Sequence, residues 1–496
     1  MGLHKFFSPI TQCVQYHRLW GLIVLLLCAS EAAGQTGLPS SLQTAGQTGV
    51  FSSLPSTTLT PAPSFPDLTG RRLVLIPYLT VSERYDDNIF QDRSSEAEDD
   101  FVTTVAPGVR LYYHPQPEAV MSLDYRVNWD LFADHADRNH AAHQANLQYT
   151  GQLTRLLSLN VRDRFSLTED PGERQRDIDE ANGGNPGSEQ RRERVLRNSA
   201  NVVLGIQVSP RIDMSPFFGN ILHDVEDPNE VDELQYTVGA EIGYLTDTLR
   251  QNRVFIGYRA DFFNFSDNGN PVLERVADFK VHTANVGYRH AFSATLTGDM
   301  AIGYAVAISD RNALGDESAV IGTVGLIKTL RTGNLSLRYR RQFASGGSDG
   351  GRAVADIFTS SISTNITPKI IVALSSNLSL IDVKDEIRVD AGDNTRADRI
   401  FWTIRPGLTY QVLRSWSFSV AYDYSVTNSD DNTEDRHDHQ VTVATQLVIR
   451  ERLFLSLAYR YTARRFDEQD QTRDEQSFDR NQVVLSITYG PPLLLR

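Results

Sequence analysis

The sequence predicts an all-β fold: a closed antiparallel transmembrane β-barrel of about 20 strands, in the range 18–20, with short periplasmic turns and long extracellular loops. Three observations predict it. Long stretches alternate apolar and polar residues with a period of two. The connections between those stretches alternate short and long. Beyond residue 34, no stretch approaches the roughly eighteen consecutive apolar residues that a transmembrane helix needs.

The alternation is cleanest over residues 119–133. Ala119, Met121, Leu123, Tyr125, Val127, Trp129, Leu131 and Ala133 carry no charge. The residues between them, Val120, Ser122, Asp124, Arg126, Asn128, Asp130 and Phe132, are mixed and more polar. Successive side chains of an extended strand point to opposite faces, so one face suits hydrocarbon and the other tolerates charge. The stretch is also long, since soluble strands run to about five or six residues and about ten tilted residues cross a bilayer core.

Taken in order, the chain begins with residues 1–18, which carry His4, Lys5, His17 and Arg18 and no acid. An apolar run (LWGLIVLLLCA, 19–29) follows, then the small residues Ser30, Ala32, Ala33 and Gly34. That order predicts a signal peptide over residues 1–34. Leu25, Leu26 and Leu27 precede Cys28, which argues against lipidation there. The two cysteines, Cys13 and Cys28, both fall in this segment, so the remainder has neither disulfides nor thiolate metal sites. Residues 35–70 are rich in Ser, Thr, Gly and Pro, and residues 33–44 are nearly repeated by 45–56. Such a composition buries too little apolar surface to offset chain entropy and predicts a flexible periplasmic segment. Residues 71–496 are the predicted barrel.

Within the barrel the alternating unit recurs to the end. Examples are Leu157, Leu159, Val161; Leu234, Tyr236, Val238; Val254, Ile256, Tyr258; Met300, Ile302, Tyr304; Trp416, Phe418, Val420; and Val483, Leu485, Ile487, Tyr489. Short links at 114–117, 155–156, 209–211, 246–251, 291–293, 331–333, 367–368, 413–415 and 450–452 alternate with charged or Gly-rich connections, among them 169–193, 266–277, 384–398 and 463–476. Only a helix or an edgeless barrel pairs every backbone group inside a bilayer, and this pattern is that of the barrel.

The net charge of −14 excludes nucleic acid as a partner, because phosphate binding needs a basic surface. If Tyr125 and Trp129 face lipid, the opposite phase lines the lumen. It contains Asp124, Arg126, Asp130, Arg162, Arg164, Arg259, Asp261, Arg289, Arg338, Arg340, Asp423 and Arg460. An interior with both signs is wet, and a barrel of sixteen or more strands encloses a channel unless plugged. Rows of guanidinium and carboxylate groups guide polar solutes by bidentate hydrogen bonds and focused fields, or pair with one another and stiffen the wall. Asp163 is the exception. It falls in phase with Val161 and Phe165 and faces lipid if that strand is regular; a bulge or a shifted strand start would take it off that face.

Other motifs carry less. Gly346-Gly347-Ser348-Asp349-Gly350 matches a nucleophile-elbow spacing but lacks the strand–turn–helix setting, and reads as a hairpin tip. Acidic-Asn groups such as Asp86-Asp87-Asn88 read as solvated turn residues. His135, His140, His143, His437 and His439 lie at loop margins without an evident third metal ligand. The sequence therefore assigns no catalytic residue, no metal site and no cofactor.

The segment Tyr78-Leu79-Thr80-Val81-Ser82-Glu83-Arg84-Tyr85-Asp86-Asp87-Asn88-Ile89-Phe90, followed by Asp100-Phe101-Val102-Thr103-Thr104-Val105-Ala106-Pro107-Gly108-Val109, resembles the opening of the β-barrel porin 2 family. The resemblance implies an outer-membrane protein of a Gram-negative bacterium, often associated with exopolysaccharide gene clusters. It implies as partners outer-membrane lipids and lipopolysaccharide, the barrel assembly machinery and polysaccharide export components. The ending departs from the usual barrel, since residues 490–496 (GPPLLLR) follow the terminal aromatic Tyr489. The expected function is a pore or export channel for exopolysaccharide or other polar solutes. The alternative is a structural or adhesive surface barrel with a closed lumen.

Overall fold

The computed structural model describes residues 73–490 except 92–94, 96, 117–118, 170–193, 227–231, 248–251, 267–277, 311–315, 346–351, 384–398, 430–435, 451 and 467–476, together with the backbone of 493–495. The signal peptide and the Ser/Thr/Pro-rich segment lie outside the described residues.

Twenty antiparallel strands close into one barrel. They are β1 (Leu73–Asp86), β2 (Asp100–Gln116), β3 (Ala119–Phe132), β4 (His140–Thr154), β5 (Leu157–Thr168), β6 (Val195–Gln207), β7 (Ile212–Val225), β8 (Asp232–Leu245), β9 (Arg253–Ser266), β10 (Phe279–Ser293), β11 (Leu296–Ser309), β12 (Glu317–Leu330), β13 (Gly333–Ser345), β14 (Arg352–Thr367), β15 (Ile370–Val383), β16 (Arg399–Leu413), β17 (Trp416–Ser429), β18 (Arg436–Arg450), β19 (Leu453–Phe466) and β20 (Phe478–Tyr489). Each pairs with the next, and β20 pairs with β1 from Leu79↔Tyr489 to Asp86↔Gln482. A short β21 (Leu493–Leu495) pairs with the first residues of β1, Leu73↔Leu495 to Leu75↔Leu493. The tail beyond Tyr489 thus extends the closing seam to β1 residues that β20 does not reach. Among the described residues no helix is long and apolar enough to cross a membrane, and the one helical element is a single 3-10 turn, Ala136–Arg138, between β3 and β4.

The strands are twelve to seventeen residues long, against about five or six in a soluble sheet. Exposure follows the predicted period of two. On β11 the residues Met300, Ile302 and Tyr304 are 53–62% exposed, while Ala305 and Ala307, of the opposite phase, are buried. The exposed phase is apolar on strand after strand, as with Val254, Ile256 and Tyr258 on β9 or Leu485, Ile487 and Tyr489 on β20. This is the lipid-facing face, and its neighbours in sequence face the interior.

Prolines sit where the ladder lets one side go. The β2–β3 register passes from Val105↔Trp129 to Gly108↔Arg126, skipping Pro107. The β16–β17 register passes from Ile404↔Tyr424 to Gly407↔Ala421, skipping Pro406. Pro216 of β7 is skipped on the β6 side in the same way. A residue without an N–H cannot donate to the neighbour on the side where that N–H would point, and each proline keeps the ladder on its other side.

Candidate functional site

The inner face is built by the phase opposite to the apolar one. All twelve sequence-predicted lumen residues fall on it. Asp124 accepts Tyr78 Oη at 2.8 Å and the Nε and Nη2 of Arg110 at 2.8 and 2.5 Å. Arg126 Nη2 donates to Gln144 Oε1 at 2.6 Å. Asp130 is buried, accepts Thr104 Oγ1 and lies 3.5 Å from His140 Nε2. Arg162 and Arg164 stand between Gln148 and Asn146 of β4 and Asn201 and Ser199 of β6. Arg259 Nε lies 2.8 Å from Asp261 Oδ2, and Asp261 also accepts Thr237 Oγ1 at 2.7 Å. Asp423 takes Arg405 Nε at 2.8 Å. Buried Arg460 is opposite Gln482 in the ladder.

Arg289 and Arg338 occupy one circumferential row. It runs Arg253 (β9), Arg289 (β10), Asp299 (β11), Gly325 (β12), Arg338 (β13). Asp299 lies across Gly325: a Cβ there would sit 2.5 Å from Asp299 Oδ1, so a larger residue would make that carboxylate shift. Arg340 stands one inward position above Arg338, opposite Thr323 of β12 and Ile357 of β14.

Several inward charged groups were not among the residues singled out from sequence. Arg253 is held by Asp213 and by Glu241 Oε1. Arg436 and Arg464 share Asp438, at 3.0 and 2.7 Å. Arg480 binds Asp86. The same period-two phase, applied to strands β1, β7, β8, β9, β18, β19 and β20, points to each of them; pairing between strands is what sequence spacing does not supply.

Tyr78 and Gly108 explain the Pro-Gly in the second strand. They are ladder partners, and the Tyr78 ring lies over Gly108 so closely that a Cβ there would sit 2.3 Å from Tyr78 Cζ. The ring thereby reaches Asp124 two strands away.

Asp163 stays on the lipid-facing phase, as a regular strand requires: both of its ladders are regular through it, Leu147↔Asp163 and Asp163↔Ala200, and the register shift of the β4–β5 ladder lies at the turn, between Gln152 and Thr154. Its carboxylate instead accepts Asn198 Nδ2 at 2.8 Å from the adjacent strand, a polar pair that shields itself rather than turning inward. Asp86-Asp87-Asn88 is not a solvated turn, since Asp86 and Asn88 are 0% exposed. Asp86 accepts Arg480 Nε at 2.9 Å, Arg480 Nη2 at 2.5 Å and Gln482 Nε2 at 2.8 Å. Asp87 takes Asn481 N and Nδ2 at 2.6 and 2.7 Å, and Asn88 Nδ2 donates to Asp479 O at 3.2 Å.

The histidines serve local contacts. His143, His437 and His439 face outward, each with Nδ1 2.8–3.0 Å from a tyrosine Oη, those of Tyr125, Tyr424 and Tyr422. In the β3–β4 loop, His135 lies between two carboxylates, with Nδ1 2.9 Å from Asp100 Oδ2 and Nε2 2.7 Å from Glu98 Oε2. Both ring nitrogens donate only in the imidazolium, and the hydrogen bonds to Asp100 first and Glu98 second raise its pKa. No group of three metal-ligating side chains occurs among the described residues. The Gly-x-Ser-x-Gly match lies outside them.

No protein-family model matches the chain, and no curated protein matches it in sequence. Solved structures do. A point mutant of the ferric enterobactin receptor PfeA from Pseudomonas aeruginosa aligns with a TM-score of 0.50 at 8% identity, over 85% of this chain and 81% of that one. The iron transporter FrpB from Neisseria meningitidis gives 0.48 at 8% over 85% and 82%, and the outer membrane protein OpdK from Pseudomonas aeruginosa gives 0.35 at 13% over 84% and 99%. At such identity the likeness to PfeA is one of fold, and it is to a membrane barrel.

Proposed function

We propose that this barrel resides in the outer membrane of a Gram-negative bacterium and acts as a pore or export channel for polar solutes, exopolysaccharide among them. The observation that carries the reading is the inner face. Guanidinium and carboxylate groups recur on it from β1 around to β20, within a wall whose other face is hydrocarbon-compatible. Such a surface is wet, and side chains of both signs along it offer paired hydrogen bonds to hydroxyl-rich or charged cargo. The similarity of the β1–β2 segment to porins that accompany exopolysaccharide genes supports the choice of cargo.

Purified protein in planar bilayers tests this directly: discrete open-channel conductance is expected, and a correctly folded barrel that never conducts contradicts it. A deletion strain scored for surface polysaccharide tests the cargo, with reduced export expected. One observation favours the second reading, a surface barrel with a closed lumen: the upper part of the β13–β14 hairpin is turned into the interior, its Phe343 and Val354 buried against the inner wall.

A further inference from the structure

The β12–β13 ladder ends early. Its last pair is Gly322↔Arg341. Beyond that point β12 remains paired with β11 as far as Ala307↔Glu317, and β13 remains paired with β14 as far as Ser345↔Arg352. Residues 318–321 therefore keep one ladder neighbour, and the seam between β12 and β13 parts toward the long-loop side. The parting lies within the apolar band, because Tyr304 and Val320, both more than half exposed on the lipid-facing phase, are ladder partners at this height.

The hairpin has gone behind β12. β13 approaches β11, which is not its sheet neighbour. Arg352 Nη1 donates to Ala307 O at 3.5 Å. Phe343 and Val354 pack against Phe263, Phe279, Val281, Ala305, Ala307 and Ile321, all on the inner face of β9–β12. The opposite face of the hairpin is buried too, through Ala344, Ala353 and Ala355.

The sequence suits this position and also a second one. The inner wall under the hairpin is apolar, whereas at the same end of β18–β20 it carries Arg436, Asp438, Arg464 and Arg480. That apolar patch suits a buried hairpin. Phe343, however, shares a strand face with Leu335, Leu337 and Tyr339, whose partners Lys328, Leu326 and Val324 are in the lipid-facing phase. Continuing the register beyond Gly322↔Arg341 would place Val320 opposite Phe343, both toward lipid, and Ala319 opposite Ala344, both toward the lumen. It would also give the free edge of β12 its missing partner, which a bilayer favours.

We propose that the β13–β14 hairpin is a gate with two seats: turned inward against β9–β12, where it narrows the lumen, and zipped onto β12, where it is part of the wall. Packed elements with two discrete arrangements of similar energy switch rather than deform.

Two double variants test it in liposomes under oxidising conditions. Ala319→Cys/Ala344→Cys reports the wall seat, since directly opposed Cβ atoms lie about 4.5–5.5 Å apart. Ala307→Cys/Val354→Cys reports the inward seat. Each pair is expected to crosslink, in separate preparations of folded protein. Conductance of the wall-locked form is expected to exceed that of the inward-locked form several-fold, and reduction should abolish the difference. A spin label on Phe343→Cys gives an independent reading: two components, one reached by lipid-dissolved oxygen and one buried. A crosslink in the inward pair alone with a single buried component overturns the wall seat, and a crosslink in the wall pair alone overturns the inward seat. Equal conductance of the two locked forms overturns the gate. If both crosslinks form and neither form conducts, the pore reading fails and the two seats stand.

Discussion

The barrel has two seams that differ in how they are held, the closing seam between β20 and β1 and the parted seam between β12 and β13. The first joins the two ends of the described strands and has no short turn to help it. It is fastened instead by buried polar groups: Asp86 with Arg480 and Gln482, Asp87 with Asn481, Asn88 with the Asp479 carbonyl, and Thr80 with Thr488 at 2.9 Å. The second joins consecutive strands through a tight turn, and above Gly322↔Arg341 it carries no ladder at all. On the β12 side its top carries Ala319, Val320, Ile321 and Gly322, none with a polar side chain, while Arg341 of β13 pairs with Asp356 of β14 rather than with β12. A chain that must close on itself places its directional bonds at closure. A seam that closes by covalent connection is free to open.

The largest expected effect lies at the closing seam. Asp86→Ala leaves the Arg480 guanidinium, 6% exposed at its side chain, without its carboxylate. Removing one member of a buried pair costs about 3–5 kcal/mol. Urea unfolding from vesicles and loss of heat-modifiable migration measure it; a loss of no more than about 1 kcal/mol, the worth of an exposed pair, would mean that closure does not depend on this lock.

Next comes the Tyr78–Gly108 contact. Gly108→Val forces the Tyr78 ring off its strand and away from Asp124. Overpacking of this kind costs about 1–3 kcal/mol. The expected signature is a destabilised barrel that Tyr78→Ala on the same background partly restores. No recovery in the double variant would show that the ring is not the obstacle.

Phe279→Ala sharpens the comparison from the other side. Phe279 is 1% exposed and stacks on Phe263, with ring centroids 4.3 Å apart, under the inward hairpin. Removing it weakens the inward seat while the wall seat does not use it. Crosslinking of Ala319→Cys/Ala344→Cys should rise on that background; unchanged crosslinking would separate the patch from the hairpin's position.

The smallest effect is at the rim. His135 ties the β3–β4 loop to Asp100 and Glu98, and its pKa is raised in the folded protein from an ordinary 6.5. A raised folded value means that the tether is complete below pH 6.5 and is lost as pH rises through the folded value. Limited proteolysis of this loop should quicken across that interval in wild type and show no such step in His135→Gln. A step that survives the substitution would assign the titration elsewhere.

The strands, their phase and the alternation of short and long connections were legible in the sequence, because a period of two is written in every strand. The lumen face of Asp124 or Arg460 followed from phase alone. What was not legible depends on neighbours. Asp163 looks misplaced until Asn198 arrives from β6, thirty-five residues on. Asp86 looks like a turn residue until Arg480 arrives from the far end of the chain. Phe343 obeys the wall pattern while sitting inside, so no reading of β13 by itself reveals the bend. The terminal residues give no strand signal of their own, yet 493–495 pair with β1 because β20 leaves that edge free.

The central claim is that one face of each strand meets lipid and the other meets a polar interior. Spin labels placed singly from Leu123 to Asp130 on β3 test it most directly in reconstituted vesicles. Oxygen accessibility is expected to peak at 123, 125, 127 and 129 and to fall at Asp124, Arg126, Asn128 and Asp130. A profile without that two-residue alternation, or with its phase reversed, would contradict the account.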